Sequence, residues 1–260
     1  TIMRKLSTII KTQRLERIKM RLKITALSLL FLIIGTSCTT QNSTVKTSRS
    51  QYPQERRDLP VVNVSFIVTS NRPEVQALDN KVQMNKELAI LNQYFVDENN
   101  HKIFTFKIHH YYSFQEFSKR KCDLANQLSQ SKVIIPAKLP IAVNACFPRR
   151  KSKEVLFIIY DAYSEKLKDA DITSWGFRNQ GQPFILIDWK RLNYQTQAAS
   201  IHEMGHAFGL GHVCSPKATK TTPTNIMSSY DCHLGSGGLR NLGFTTKQVN
   251  TMLNNYQQYP

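Results

Sequence analysis

Residues 201–212 read IHEMGHAFGLGH and place three histidines and one glutamate at fixed spacing. His202 and His206 are four residues apart, so on an α-helix they lie on one face, one above the other. At this spacing both imidazoles can reach one zinc ion, which binds histidine nitrogens at about 2.0–2.1 Å. Glu203 lies beside them, where its carboxylate can accept the proton of a water molecule on the metal.

A glycine three residues after the second histidine predicts the end of this helix. Gly209 can adopt the left-handed conformation that a tight turn requires at little steric cost. The turn brings His212 back toward the helical histidines as a third ligand. Three protein ligands leave a fourth tetrahedral position for water, which is typical of catalytic zinc sites, whereas structural sites are closed by a fourth ligand.

The complete pattern resembles the extended HExxHxxGxxH signature of the metzincin clan of zinc metallopeptidases. Residues 224–230, TNIMSSY, resemble the methionine turn of that clan, with Met227 as the methionine beneath the zinc. Some members also use a tyrosine two residues after the methionine. Tyr230 stands three residues after it and is the candidate for stabilising the transition state. The closing helix looks most like that of the matrixin-type members.

The resemblance implies a zinc-dependent endopeptidase with one catalytic Zn²⁺. Its metal ligands and its general base would be His202, His206, His212 and Glu203. Two other functions stay open at this point. One is a surface binding lipoprotein on an inactive metzincin scaffold, and the other is a zinc hydrolase of a non-protein substrate such as a peptidoglycan cross-link. Because inactive scaffolds usually lose the glutamate or a ligand, the intact set favours the enzyme.

The rest of the chain predicts alternating strands and helices. Strands are predicted over residues 61–68, 102–112 and 155–163, followed by a hairpin over 174–179 and 183–189. Helices are predicted over residues 73–96, 194–208 and 245–256, the last capped by Thr245 or Thr246. Residues 113–153 match no element.

This order indicates an α/β (α+β) fold. The resemblance implies a metzincin-like zincin fold, with a mixed, mostly parallel twisted sheet, long helices, an active-site helix and a small loop-rich C-terminal subdomain ending in a helix. In that fold residues 175–179 would be the antiparallel edge strand that lines the cleft and pairs with extended substrate.

The N-terminal residues predict a targeting segment. A short basic segment, residues 20–23 (MRLK), precedes the apolar run ITALSLLFLII, residues 24–34. This is the layout of a secretory signal peptide. A transmembrane helix needs about 20 apolar residues, so this run is too short to span. The segment resembles a bacterial lipoprotein signal, in which Cys38 becomes the lipid-modified first residue. An ordinary signal peptidase site, with Gly35 and Ser37 as its small residues, is the alternative.

Both interpretations place cleavage before Cys38 and predict an exported protein, either a membrane-anchored lipoprotein of the cell envelope or a secreted protein. Lipid anchoring is favoured because residues 39–51 are polar and suit a flexible tether. We therefore divide the chain into an upstream extension and signal peptide (1–37), a polar tether (38–59) and a catalytic domain (60–260). Within that domain, the subdomains cover about 60–209 and 210–260.

The chain has five cysteines, an odd number. If Cys38 carries lipid, four remain, and they allow three disulfide connectivities. We predict the pairing that closes the shorter loops, with four free thiols as the alternative. The predicted pairs are Cys122 with Cys146 and Cys214 with Cys232.

The charge does not indicate a nucleic-acid-binding protein. The chain carries 35 basic and 18 acidic residues, for a formal net charge of +17, and residues 1–37 alone hold 8 of the basic ones. The others are scattered, whereas nucleic-acid binding requires a basic stripe. We expect a monomer that acts on a protein or peptide substrate, contacts a membrane through Cys38 and binds no nucleic acid.

Overall fold

A computed structural model describes residues 58–128, 136–148, 153–161, 174–193, 199–214, 224–228 and 243–260, with the backbone of 240–241. Contacts join Glu55–Pro260 into one compact unit. The predicted signal peptide, most of the tether, Cys38, Tyr230 and Cys232 lie outside the described residues, so the predictions made for them stay predictions. None of the helices in the described ranges has the length and apolar character needed to cross a membrane.

Five strands form the central sheet in the order β2-β1-β3-β5-β4. They are β1 (Val61–Val68), β2 (Thr105–Tyr112), β3 (Glu154–Tyr160), β4 (Trp175–Phe177) and β5 (Phe184–Asp188). All neighbours pair in parallel except β4, which runs antiparallel to β5 at one edge. β3 and β5 are buried along their whole length, as expected for central parallel strands with helices on both faces. The predicted mixed α/β fold with a mostly parallel sheet is confirmed.

Seven α-helices are described. They are α1 (Pro73–Gln76), α2 (Lys81–Tyr94), α3 (Phe114–Ser118), α4 (Leu124–Gln127), α5 (Leu139–Cys146), α6 (Ala199–Ala207) and α7 (Thr246–Gln257). Two further short strands, β6 (Thr224–Asn225) and β7 (Arg240–Asn241), pair in parallel. Thr245 caps α7 through its side chain, one of the two predicted caps. The first part of the helix predicted over 194–208 lies outside the described residues.

The prediction of a single helix over residues 73–96 is wrong, because α1 and α2 are separate helices. The Asn80 side chain accepts a hydrogen bond from the Gln83 amide at 2.8 Å and so begins α2. The Asp79 carboxylate accepts hydrogen bonds from the Tyr111 hydroxyl and the Phe114 amide. These contacts with β2 and the start of α3 hold the chain in a break that the local apolar spacing does not show.

Residues 113–153 match no element in the sequence, but their described part contains three α-helices. α3 and α4 have five and four residues, too few to display a helical period. α3 begins with a capping box, in which Ser113 and Glu116 each bond the backbone of the other. With α5 these helices cover one face of the sheet. A disulfide joins Cys122 to Cys146, with the Cα atoms 5.3 Å apart, and this is one of the two pairs predicted.

The opposite face of the sheet carries α2, α6 and α7 over a second and larger apolar core. α6 contacts β4 and β5 as well as α2. Its apolar side chains Ile201 and Met204, and Phe208 just beyond it, are fully buried against this core. Because one side of α6 is fixed by apolar packing, its other side is held in place to present polar groups.

A buried carboxyl group connects α2 to the segment that leads into α6. Glu87 is 1% exposed. It accepts hydrogen bonds from the Gln83 side chain at 3.0 Å and from the Asn193 amide at 2.6 Å. Burial raises the pKa of Glu87 to about 7, although both hydrogen bonds act in the opposite direction. In the folded protein this group therefore ionises near neutral pH, well above the 4.5 of an ordinary glutamate.

Glu87→Gln should change how stability depends on pH. The raised pKa of Glu87 means that the folded state binds the carboxyl proton more tightly than the unfolded chain does. In the unfolded chain the pKa of this group is 4.5. Its stabilising contribution is complete below pH 4.5 and is lost as pH rises through about 7. Between pH 5 and pH 8, the free energy of unfolding of the variant, measured with urea, should therefore rise relative to that of wild type by on the order of 2 kcal/mol.

Glu74→Gln is the control, since Glu74 is exposed and its pKa lies below the usual range beside Arg72. Its difference from wild type should not change over the same interval. A Glu87→Gln difference that is equally constant would contradict the assignment of a raised pKa to this group.

Candidate metal centre

The structure brings the three predicted histidines into one cluster. One ring nitrogen from each of His202, His206 and His212 lies within 4.8 Å of the other two. The Nε2 atoms of the two helical histidines are 3.1 Å apart. Two nitrogens bound to one tetrahedral zinc ion would be about 3.3 Å apart, given bonds of about 2.05 Å. The cluster can therefore hold a metal ion.

Backbone carbonyls fix the protonation of the two helical histidines. His202 Nδ1 lies 2.7 Å from the Ile226 oxygen, and His206 Nδ1 lies 2.7 Å from the Leu210 oxygen. A carbonyl oxygen can only accept a hydrogen bond, so in both rings Nδ1 is the donor and carries the proton. The Nε2 lone pairs then face each other across the cluster, where a metal would bind.

The surroundings of His206 favour its neutral form. Burial lowers the pKa of His206, because the imidazolium would lose its hydration. The hydrogen bond to Leu210 partly offsets this, and the neighbouring His212 lowers the pKa further. A neutral imidazole is the form that binds metals.

α6 ends just before Gly209, as the sequence predicts. Gly209 has φ +88°, its amide bonds the His206 oxygen at 2.8 Å, and the Leu210 amide bonds the Gly205 oxygen at 3.0 Å. This pair of bonds is the Schellman arrangement, which closes a helix with a left-handed residue. The turn also presents the Leu210 carbonyl to His206, so helix termination and ligand orientation depend on the same turn.

Residues 225–228, which we call the floor turn, lie at the place predicted for a methionine turn. They lie against α6, which carries His202 and His206 and which we call the ligand helix. Met227 is fully buried. Its Sδ would be only 2.6 Å from a Cβ added at Gly205, so the methionine packs directly against the helix between the two ligands. The Val213 amide bonds the Met227 oxygen at 2.9 Å, which joins the residue after His212 to the same turn.

Burial decreases across the cluster. His202 is 7% exposed, His206 is intermediate and His212 is exposed, so the cluster opens to solvent on the His212 side. Glu203, on the same helical turn as His202, is 6% exposed. The site therefore combines a buried glutamate with a side that is open to solvent.

Sequence reasoning did not identify the role of Gly176, at the centre of β4. A Cβ added there would lie 2.1 Å from the Glu203 oxygen and 2.7 Å from His206 Cβ. Only glycine lets the edge strand lie this close to the ligand helix. A glycine inside a predicted strand is a weak sign of such an approach, because it does not indicate which backbone comes near.

The pairing predicted for Cys214 stays a prediction. Cys214 is disulfide-bonded, and its predicted partner Cys232 lies outside the described residues. Compared with known proteins, the chain matches no family model and no curated sequence. The case for a metal centre therefore rests on the residues and their geometry.

Gly176→Ala should disrupt the centre although it adds a single methyl group. The methyl would meet a backbone carbonyl at 2.1 Å, so β4 and α6 must separate. Overpacking of this kind typically costs about 1–3 kcal/mol. We expect lower stability of the metal-free protein in urea unfolding and weaker metal binding in titration.

Gly211→Ala is the matched control, because a Cβ at that glycine meets no atom within 4 Å. Its stability should stay near wild type. If the two alanine variants unfold at the same urea concentration, the close approach of β4 to the ligand helix is not a constraint.

Proposed function

We propose that this protein is a metzincin-type zinc endopeptidase. The observation that carries the proposal is the convergence of three imidazoles beside a buried glutamate of α6, with the Nδ1 atoms of His202 and His206 engaged by backbone carbonyls. The floor turn with Met227 beneath that helix, and the antiparallel strand β4 against it, support the same proposal.

The donor set favours zinc. Three neutral imidazoles suit this ion, and three protein ligands leave one position for water or substrate. Zinc bound in such a site supplies Lewis acidity, which polarises a substrate carbonyl and lowers the pKa of water to about 7. His202, His206 and His212 would hold it, and Cys214 is excluded as a ligand because its sulfur is in a disulfide.

In this proposal Glu203 carries the proton. Its carboxylate accepts a proton from the attacking water and then delivers it to the amine that leaves when the peptide bond breaks. The residue follows His202 directly, so the helix that holds the ligands also positions the base.

Strand β4 is the proposed binding surface for an extended peptide. It is the last strand at its edge of the sheet in the described part of the chain, so its outer backbone groups can pair with a substrate strand. Gly176 lets this strand lie against the ligand helix, which would place a paired peptide beside the three histidines.

We also propose that the protein is exported and anchored by lipid at Cys38. The support comes from the basic and apolar segments of residues 20–34 and the polar residues 39–51. Intact-mass analysis of the protein from a membrane fraction should show a lipid-modified Cys38 at the mature N-terminus. An unmodified Cys38 would exclude the anchor and leave export standing.

Glu203→Gln should separate metal binding from catalysis. The change keeps the three histidines and the side-chain shape but removes the base, so one zinc ion per chain should remain bound. Cleavage of a reduced, unfolded protein should fall by at least about 100-fold, the lower end of what general bases contribute. His206→Ala should lose both zinc and cleavage, because one of three ligands is gone.

His101→Ala is the control, since this exposed histidine lies outside the cluster and contacts Asp97. It should change neither zinc content nor cleavage. Wild-type rates from Glu203→Gln with zinc bound would reject Glu203 as the base. Zinc binding by the wild type without cleavage of unfolded protein would favour the inactive scaffold, or the hydrolase of a peptidoglycan cross-link if that substrate is cleaved.

A further inference from the structure

Two side-chain amides form a closed pair between the floor turn and α7. Asn225 Nδ2 donates to Gln248 Oε1 at 3.1 Å, and Gln248 Nε2 donates to Asn225 Oδ1 at 2.9 Å. Gln248 is 9% exposed and lies in the first turn of α7. Partly buried hydrogen bonds of this kind compete with less water than exposed ones.

We infer that Gln248 is a positioning residue for the metal centre, acting through Asn225 and the floor turn. The inference rests on the proposed function and deepens it, because Gln248 belongs to none of the groups assigned to the site. Its side chain bonds Asn225 and Thr245, so its effect is on where the floor turn holds the histidines.

The floor turn transmits the position of Asn225 to two ligands. Asn225 Oδ1 also accepts a hydrogen bond from the Met227 amide at 2.9 Å, so the same oxygen shapes the turn and pairs with Gln248. The turn then presents the Ile226 oxygen to His202 and the Met227 oxygen to the Val213 amide beside His212. A shift of Asn225 would therefore move both contacts.

Gln248 is itself held by the N-terminal end of α7. Its Oε1 accepts a hydrogen bond from the Thr245 amide at 2.9 Å in a capping box. Glu98 accepts hydrogen bonds from the Thr246 amide and hydroxyl at 3.3 and 2.8 Å. The Phe244 amide bonds the Val96 oxygen at 2.9 Å. These contacts fix the N-terminal end of α7 and with it Gln248. Gln248 can therefore hold the floor turn in place through Asn225.

The pair requires a glutamine and not merely a side chain of that shape. The Met227 amide needs an acceptor, which fixes Oδ1 of Asn225 on that side and turns Nδ2 toward Gln248. The partner must therefore accept one hydrogen bond and donate another. A glutamate in this position would place an oxygen against Asn225 Oδ1, and a rotated Asn225 amide would leave the Met227 amide without its acceptor.

The test compares zinc affinity among variants of α7. Gln248→Glu and Gln248→Ala should weaken zinc binding by about 10–100-fold, the loss typical when a group supporting a metal ligand is removed. Affinity is measured by competition with a chromophoric chelator. The visible absorption of the cobalt-substituted protein should also change, since it reports the ligand geometry at the metal.

Two controls separate positioning from general stability. Gln257→Glu makes the same isosteric change at an exposed position of the same helix. Leu253→Ala truncates a partly buried apolar side chain of α7 that packs on the core and cannot form a hydrogen bond. Both should keep wild-type zinc affinity and the wild-type cobalt spectrum, although Leu253→Ala should unfold at a lower temperature.

Each outcome decides a separate claim. Zinc affinity of Gln248→Glu equal to that of Gln257→Glu overturns the positioning role, and so does an equal loss of affinity in Leu253→Ala at the same loss of stability. If Gln248→Glu does not fold, Gln248→Ala provides the same comparison. Wild-type protein that binds zinc but cleaves nothing overturns the proposed function alone, and wild-type protein that binds no zinc overturns both.

Discussion

The hydrogen bond from His202 Nδ1 to the Ile226 carbonyl, 2.7 Å long, joins the ligand helix to the floor turn 24 residues further along the chain. This bond sets the tautomer of His202 and holds its ring, so the remaining nitrogen faces the other ligands. The same turn contacts the backbone beside His212 through Met227. His206 takes its orientation from the turn that ends its own helix, through the Leu210 carbonyl. The geometry of the histidine cluster therefore depends on how the floor turn is held against α6.

The floor turn and the edge strand confine α6 by close packing. Met227 Sδ occupies the space that a side chain on Gly205 would need, and Gly176 of β4 leaves no room for a Cβ beside Glu203. Behind the helix, the apolar core fixes the remaining side. Interiors packed this closely deform little. The histidines are thus held close to a metal-binding geometry by the fold itself, which lowers the ordering cost of binding an ion.

The ligand cluster was predictable because its information is local. His202 and His206 share a helix face at any place in a fold, and Gly209 ends a helix by its own conformational freedom. Contacts between distant segments leave no such pattern. The break before α2 depends on Asp79 meeting residues 32 and 35 positions away, and the pairing of Asn225 with Gln248 joins side chains 23 positions apart. Central strands were predictable from their unbroken apolar runs, whereas helices of four or five residues were not.

X-ray absorption at the zinc edge of the zinc-loaded wild-type protein tests the proposed metal centre directly. The spectrum should show one zinc site with three imidazole nitrogens at about 2.0–2.1 Å and one further oxygen ligand. A sulfur shell at about 2.3 Å, or a fourth protein nitrogen closing the site, would show a structural zinc and contradict an open catalytic centre built by His202, His206 and His212.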